Sequence, residues 1–324
     1  MKSHWQPSAS VAALKLRAEV YRRIRGFFHQ RHVLEVETPI LSEAGNTDPN
    51  IESFHVRFSG PGTAGERTRW LRTSPEFPIK RLLSSGIGDC YELGRVFRNG
   101  EFGRRHNPEF TMLEWYRIGW NHLELVEECI ALVQDVFAVK GAELPVRRLT
   151  YAELFLESTG LEPHLASDAQ LRKTVLSNID INPDGLQRDD FLDLLVTHCI
   201  EPKLPKLSLT AVSDFPASQC ALARIRPGAV PVAERFELYL GDAELANGYH
   251  ELTDAREQSL RFDRDLALRS RRGACAVPKD QRLLSAMGSM PACAGVAMGI
   301  DRLMMALSET ESLPDVVAFD FSRA

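Results

Sequence analysis

Apolar residues recur at helical spacing near the start of the chain. Val11, Leu14, Val20, Ile24, Phe27 and Phe28 form a stripe with basic residues between them, which predicts a helix over 11–30. Val33 to Leu41 reads as a strand that runs into Pro39, a residue suited to a strand end or a sheet edge. Residues 59–66 (SGPGTAGE) predict a flexible loop. Two strand patterns, 91–99 and 109–117, are joined by a polar loop and predict an antiparallel hairpin. A helix is predicted over 121–140. The stretch 160–206 is less patterned and predicts short helices only. A second hairpin is predicted over 235–252 with Gly241-Asp242 at its turn, then a charged helix over 254–272. A small-residue strand from Ala292 to Ile300 runs into a helix from Asp301. Hairpins with helices between them predict an α+β fold, an antiparallel sheet flanked by helices, with 1–324 as a single domain carrying an insertion at about 160–206. The β-α-β alternation of a Rossmann domain is missing, as are G-x-G-x-x-G and G-x-x-x-x-G-K, so a nucleotide would have to bind without a P-loop.

The totals narrow the class. A chain of 324 residues that is 44% hydrophobic and 26% charged can bury a sizeable core. A formal net charge of −5 argues against tight non-specific binding to nucleic acid, which relies on a basic face. None of the six cysteines is spaced C-x-x-C, which argues against structural zinc and for a reduced cytosolic chain. Met1 to Ser10 has no apolar signal core, and no apolar run reaches the ~18 residues of a membrane helix. The expectation is a cytoplasmic protein with no membrane partner.

Four places carry chemistry. In 110–116, alternation puts Phe110, Met112, Glu114 and Tyr116 on one face and Thr111, Leu113 and Trp115 on the other. Both faces are largely apolar, so Glu114 is predicted to be buried, either in an ion pair with a core arginine or as an acid awaiting a cationic ligand. In the second hairpin, Glu237 lies opposite the apolar face of Phe236, Leu238 and Leu240, and Glu244 is expected near it on the return strand. Two such carboxylates suit a magnesium ion that also takes phosphate oxygens, or else they mark a solvated hairpin edge. Arg98, Arg104, Arg105 and His106 make the loop 98–106 either a solvated turn or a phosphate clamp. In 294–302, Asp301 suits a helix N-cap, Gly295 and Gly299 permit close approach to a ligand, and Arg302 can stack on a base.

These residues resemble a known family. Phe97-Arg98-Asn99 with Arg105-His106-Asn107-Pro108-Glu109-Phe110-Thr111-Met112 resembles motif 2 of the class II aminoacyl-tRNA synthetases in its lysyl form. Glu35-Val36-Glu37-Thr38-Pro39 resembles motif 1, with Val33 where an aromatic residue is common, and Gly299-Ile300-Asp301-Arg302 resembles motif 3. Arg235-Phe236-Glu237 and Glu244 to Leu252 resemble the lysine-pocket hairpin. The likeness covers nearly the whole chain, but the motif 1 strand begins near residue 33, leaving no room for the family's N-terminal anticodon-reading domain. That shortness, with Ser74-Pro75-Glu76 and Lys80-Arg81-Leu82-Leu83, resembles the stand-alone branch that attaches (R)-β-lysine to a lysine side chain of elongation factor P.

The resemblance implies ATP and Mg2+ as cofactors, a homodimer built through motif 1, and roles for individual residues. Arg98 would bind the α-phosphate and the substrate carboxylate as the catalytic residue. Asn99, Gly100, His106, Asn107, Phe110, Glu244, Leu245, Gly299 and Arg302 would bind ATP, with adenine between Phe110 and Arg302, and Glu237 and Glu244 would hold the metal. Ser74, Glu76 and Glu114 would face the amino group near the carboxylate. Tyr116, Asn247, Tyr249 and Glu251 would form the far end of the pocket, with Glu251 on the terminal amine. Three glutamates and one arginine select a diamino acid, since each desolvated ammonium needs an anionic partner. Two departures stand out. Gly100 occupies a position where the family has a glutamate that contacts adenine, with Glu101 beside it. Ala297 replaces a glycine of the tRNA-charging members, a methyl worth ~1–3 kcal/mol in choosing an isomer. The alternatives are amino-acid activation for tRNA or another carrier, against which charge and the missing domain weigh, and a non-catalytic paralogue, against which Arg98, Glu237, Glu244 and Arg302 weigh.

Overall fold

A helix of 20 residues, Val11–Gln30, opens the described chain because Ser10 caps it, its Oγ accepting the N–H of Ala13 at 3.1 Å. The predicted stripe is buried in its second half, at Val20, Ile24, Phe27 and Phe28, with Phe28 stacked on Tyr91 at 4.4 Å between ring centroids, whereas Val11 in the first turn is exposed. The structure, a computed structural model, describes residues 5–65 and 67–324. Met1–His4, part of the expectation for the N-terminus, and Glu66, the end of the predicted loop 59–66, lie outside the described residues. The chain divides into two units. The first holds residues 1–119, 252–293 and 297–324, and the second holds 120–251 and 294–296.

In the first unit, strands Cys90–Phe97 and Glu109–Ile118 form the predicted antiparallel hairpin, in register from Cys90 opposite Tyr116 to Phe97 opposite Glu109. Leu34–Glu35 joins the outer edge of Cys90–Phe97 in parallel. The strand predicted over 33–41 therefore breaks after two residues. The reason is visible in the partners of Thr38: its hydroxyl donates to Glu92 at 2.7 Å and its carbonyl accepts from Arg72 at 3.2 Å, so side chains replace the ladder. The chain re-enters a separate three-stranded sheet at Leu41–Ser42, with Thr68–Leu71 between it and His55–Arg57. Helix Glu76–Ser84 follows, and its Ile79 and Leu83 pack with Cys90, Tyr116, Met290 and Cys293.

In the second unit the hairpin is Val232–Leu240 with Ala243–His250, and Gly241 takes φ +60, the left-handed conformation that a two-residue turn asks of its first position. Leu209–Pro216 pairs antiparallel with Val232–Leu240, and Val146–Thr150 lies parallel beyond it. Antiparallel pairing thus dominates within each unit, with one parallel pair in each. The stretch 160–206 folds as helices Asp168–Asn178 and Arg188–Leu195 with short turns after them, as expected, and buries Leu171, Val175, Phe191, Leu192, Leu195 and Ile200 against the underside of the strands. The helix His122–Phe137 is closed by a capping box between Asn121 and Glu124. All six cysteines are free. Among the described residues, no helix is long and apolar enough to cross a membrane.

Candidate active site

Strand Glu109–Ile118 is buried from Thr111 to Arg117, so both faces meet protein, as the alternation predicts. Glu114 is 2% exposed. Its donors are hydroxyls, Ser74 Oγ to Oε2 at 2.6 Å and Tyr116 OH to Oε1 at 2.8 Å. The core arginine foreseen as one possible partner pairs instead with Glu92, directly opposite Glu114 in the ladder, where Arg72 stands 2.5 Å away. Burial pushes the pKa of Glu114 well above the ordinary carboxylate range. The neighbouring charge of Glu76 pushes the same way, while Ser74, Tyr116 and Lys80 pull it back. Glu76 begins its helix, its N–H donating to Ser74 Oγ at 2.9 Å, and its carboxylate is held by Lys80 Nζ at 2.5 Å. Ser74 and Glu76 line a cavity of about 220 Å³ in this unit, together with Asn46, Arg72, Thr73 and Arg81.

The other predicted residues of the first unit gather around the loop 98–109. The Arg98 guanidinium lies 5.1 Å from the centre of the Phe110 ring and 3.5 Å from Glu101. Arg302 meets His106 Nε2 at 3.0 Å, and burial, then the charge of Arg302, lowers the basicity of that imidazole. Asn107 is buried and tied to the chain: its Nδ2 donates to Glu109 O at 2.6 Å and its Oδ1 accepts from Phe321 N at 2.9 Å. Asn99 donates its N–H to Glu52 O at 2.8 Å. Gly100 has φ +84, a conformation that would strain a residue with a side chain, and Glu101 projects from the next position toward Arg98. Arg104 is the solvated part of the loop, paired with Glu311 and more than half exposed. Ala297 and Gly299 end the strand Cys293–Gly299. Gly299 caps the following helix, and the N-cap expected of Asp301 is not made. Asp301 is buried, ion-paired with Arg17, and accepts the N–H of Thr111 at 2.9 Å. A buried carboxylate with a guanidinium in reach is committed to it, because an uncompensated charge there would be costly.

In the second unit, Glu237 is buried rather than on a solvated edge. It is held by Arg235 on one oxygen and by Tyr239 OH on the other. Its pKa is pushed upward, first by burial. Arg235 opposes the shift, and the charge of Glu244 reinforces it, so the two carboxylates do approach as expected. Asn247 lies opposite Glu237 and accepts from Arg235 Nε at 3.1 Å, while the Tyr249 ring centre is 6.0 Å from the same guanidinium. Leu245 and Glu251 are buried. The donor set fits magnesium, which takes hard oxygen ligands, usually one or two carboxylates plus phosphate. Among the described residues no group of three or more His, Cys, Asp or Glu could hold a metal, so this pair would need oxygens from a nucleotide to complete it.

Lys80, Arg235 and Tyr239 carry interactions at these clusters that the reading of the sequence did not assign. A signal existed for each. Lys80 falls on the apolar face of its helix between Ile79 and Leu83, and Arg235, Glu237 and Tyr239 share one strand face by alternation.

Residues 4–323 match the family of class II tRNA synthetases (D, K and N), and the chain belongs to that family. Two curated relatives narrow the comparison. The "Elongation factor P--(R)-beta-lysine ligase" of Vibrio cholerae serotype O1 is 47% identical over 99% of this chain and 99% of its own length. The protein of the same name from Salmonella typhi is 47% identical over 99% of this chain and 98% of its own length.

Proposed function

We propose that this chain is an AMP-forming ligase that activates (R)-β-lysine, and α-lysine more weakly, as an aminoacyl-adenylate and passes it to a lysine side chain of elongation factor P. The observation that carries this reading is identity of 47% across essentially the full length of two relatives so named. Supporting it, Glu114 is a buried carboxylate held by the hydroxyls of Ser74 and Tyr116, and Glu76 lines the cavity beside Ser74, so an ammonium bound there would meet uncompensated acid.

In the first step the substrate carboxylate attacks the α-phosphorus, and the bond to the β-phosphate oxygen breaks as pyrophosphate leaves. The carboxylate is already ionised at neutral pH, so no general base is needed. Arg98 is assigned to the α-phosphate and the substrate carboxylate, where a guanidinium offers paired donors. Asn99, Gly100, His106, Asn107, Phe110, Glu244, Leu245, Gly299 and Arg302 are assigned to ATP by motif order along the chain. Glu237 and Glu244 are assigned to Mg2+, which when bound neutralises phosphate charge. Ser74, Glu76 and Glu114 are assigned to the amine near the carboxylate, and Tyr116, Asn247, Tyr249, Glu251 and Ala297 to the rest of the pocket. In the second step the acceptor amine, of ordinary pKa ~10.4, must lose a proton before it attacks the anhydride carbonyl and displaces AMP. A cytoplasmic homodimer completes the reading, the dimer following from the resemblance to motif 1.

The test is pyrophosphate exchange with (R)-β-lysine, α-lysine and leucine, followed by labelled transfer to elongation factor P and, separately, to tRNA. Exchange with the two lysines, none with leucine, and label on the protein acceptor are expected. Label on tRNA and none on elongation factor P would overturn the reading.

A further inference from the structure

A fully buried lysine is uncommon, because its ammonium loses water and must be repaid by an anion. Lys80 is one, at 1% exposure. It sits on the helix Glu76–Ser84 one turn after Glu76, and its Nζ reaches Glu76 Oε1 at 2.5 Å. An i,i+4 pair of this kind on a helix surface contributes little to stability. Here the helix face carrying it is turned inward beside Ile79 and Leu83. Two further features set it apart from a structural pair. First, the two partners differ in what they face: Glu76 keeps 17% of its side chain exposed and lines the cavity of about 220 Å³, whereas Lys80 is not among the cavity's lining residues and holds Glu76 from within the protein. Second, the ammonium acts on a second carboxylate, Glu114, which is itself bound by Ser74 on the cavity wall.

We propose that Lys80 is a positioning residue of the amino subsite, fixing the direction and charge of the Glu76 carboxylate from behind the cavity wall so that the subsite accepts one ammonium. This rests on the reading of Glu76 and Glu114 as the residues that meet the amine near the substrate carboxylate. Two carboxylates and two ammoniums, one from Lys80 and one from the guest, then balance. Without Lys80 the two acids repel one another and one of them takes a proton. The other then has no fixed orientation for a guest. Lys80 does not touch the substrate, and the specificity it confers is for a primary amine close to the carboxylate, as distinct from the terminal amine.

The experiment compares wild type, Lys80→Met and Lys80→Gln in ATP–pyrophosphate exchange with (R)-β-lysine, α-lysine and 6-aminohexanoate, which keeps the carboxylate and terminal amine and lacks the amine between them. In Lys80→Met the KM for both lysines is expected to rise about tenfold or more with kcat little changed, the loss of one charge-assisted hydrogen bond. The kcat/KM for 6-aminohexanoate should stay within about twofold of wild type, because that substrate never uses the subsite. Lys80→Gln, which keeps a donor and drops the charge, should show the same selectivity at smaller size. An equal loss with all three substrates, or a lowered melting temperature with unchanged KM values, overturns the proposal in favour of a structural pair, as does failure of both variants to fold. If wild type activates neither lysine, the proposed function itself fails. If wild type does activate them and the loss is not selective, the role of Lys80 alone fails.

Discussion

Each unit of this protein buries a glutamate, and the two solve the same electrostatic problem differently. Glu114 in the first unit is held by neutral donors, Ser74 and Tyr116, and feels the charges of a neighbouring pair, Glu76 with Lys80. Glu237 in the second unit is bound directly by a guanidinium, Arg235, and by Tyr239. Both carboxylates are pushed toward the neutral form by burial, but the opposing terms differ: hydroxyls lead for Glu114, a full cation for Glu237. A carboxylate held by hydroxyls keeps a strong demand for an outside cation. One held by arginine has that demand partly met within the protein, and what raises it again is the second carboxylate, Glu244. The first environment suits an organic ammonium that comes and goes. The second suits a metal shared between two acids.

The sharpest break of this comparison is Glu244→Gln. Removing the second acid leaves Glu237 with Arg235 and lowers the demand for a cation. Adenylate formation is expected to fall about a thousandfold, in the range seen when a transition-state charge loses its stabilising partner. The fold should persist, as judged by an unchanged melting temperature. A variant with full activity and the magnesium dependence of wild type would remove Glu244 from the metal assignment.

If Glu114 meets the substrate amine as proposed, Glu114→Gln should cost less in activity, about a hundredfold in kcat/KM for either lysine, through the loss of one of two anions. It also carries a stability test with a definite sign. The pKa of Glu114 is raised on folding, so the folded chain binds that proton more tightly than the unfolded chain does. The stability associated with that proton is complete below the ordinary carboxylate range and is lost as pH rises through the elevated value. Melting temperatures of the ligand-free chain should therefore decline with pH from about 5 to 9 more steeply in wild type than in Glu114→Gln. The variant should be the more stable of the two at the alkaline end. Parallel curves would show that Glu114 is not the group under strain.

The strands that carry both acids of this comparison were legible in the sequence. Burial of Glu114 follows from strict alternation in 110–116, because a strand apolar on both faces leaves its one acid no route to water. The hairpin of Glu237 and Glu244 was equally readable, down to its turn at Gly241-Asp242. The partners that tune these acids were harder to see. Ser74 and Lys80 reach their carboxylates from a helix and its approach, and the 40 residues between Ser74 and Glu114 carry no periodicity that forecasts the contact. Asp301 is the extreme case: as the second residue of a helix it looks like a cap, yet its partner Arg17 is 284 residues away. Local patterns report which face of an element is apolar. They do not report which distant charge will be trapped against it, and that is settled by packing. The strand predicted over 33–41 failed for the same reason, since Arg72 and Glu92 draw Thr38 out of the ladder.

The finest test uses the one feature the two clusters share, a tyrosine hydroxyl on the glutamate: Tyr116 on Glu114 and Tyr239 on Glu237. Replacing either with phenylalanine deletes a single donor and leaves the ring in a buried position. Each loss is worth ~1 kcal/mol, about fivefold in the equilibrium it touches. If the division of labour holds, the two variants fail in different assays. Tyr116→Phe pushes Glu114 further toward its neutral form, so the KM for lysine or (R)-β-lysine should rise about fivefold at pH 7 while the magnesium concentration at half-maximal activity stays put. Tyr239→Phe weakens the hold on the Glu237 carboxylate, so the magnesium requirement should shift by a similar factor while the KM for the amino acid stays put. Both effects are small enough to be lost in a single rate, and the pair of titrations, amino acid and magnesium, is what separates them. Two variants that move both titrations equally would mean that the clusters act as one site with one cation. The contrast between an ammonium cage and a metal pair would then have to be given up.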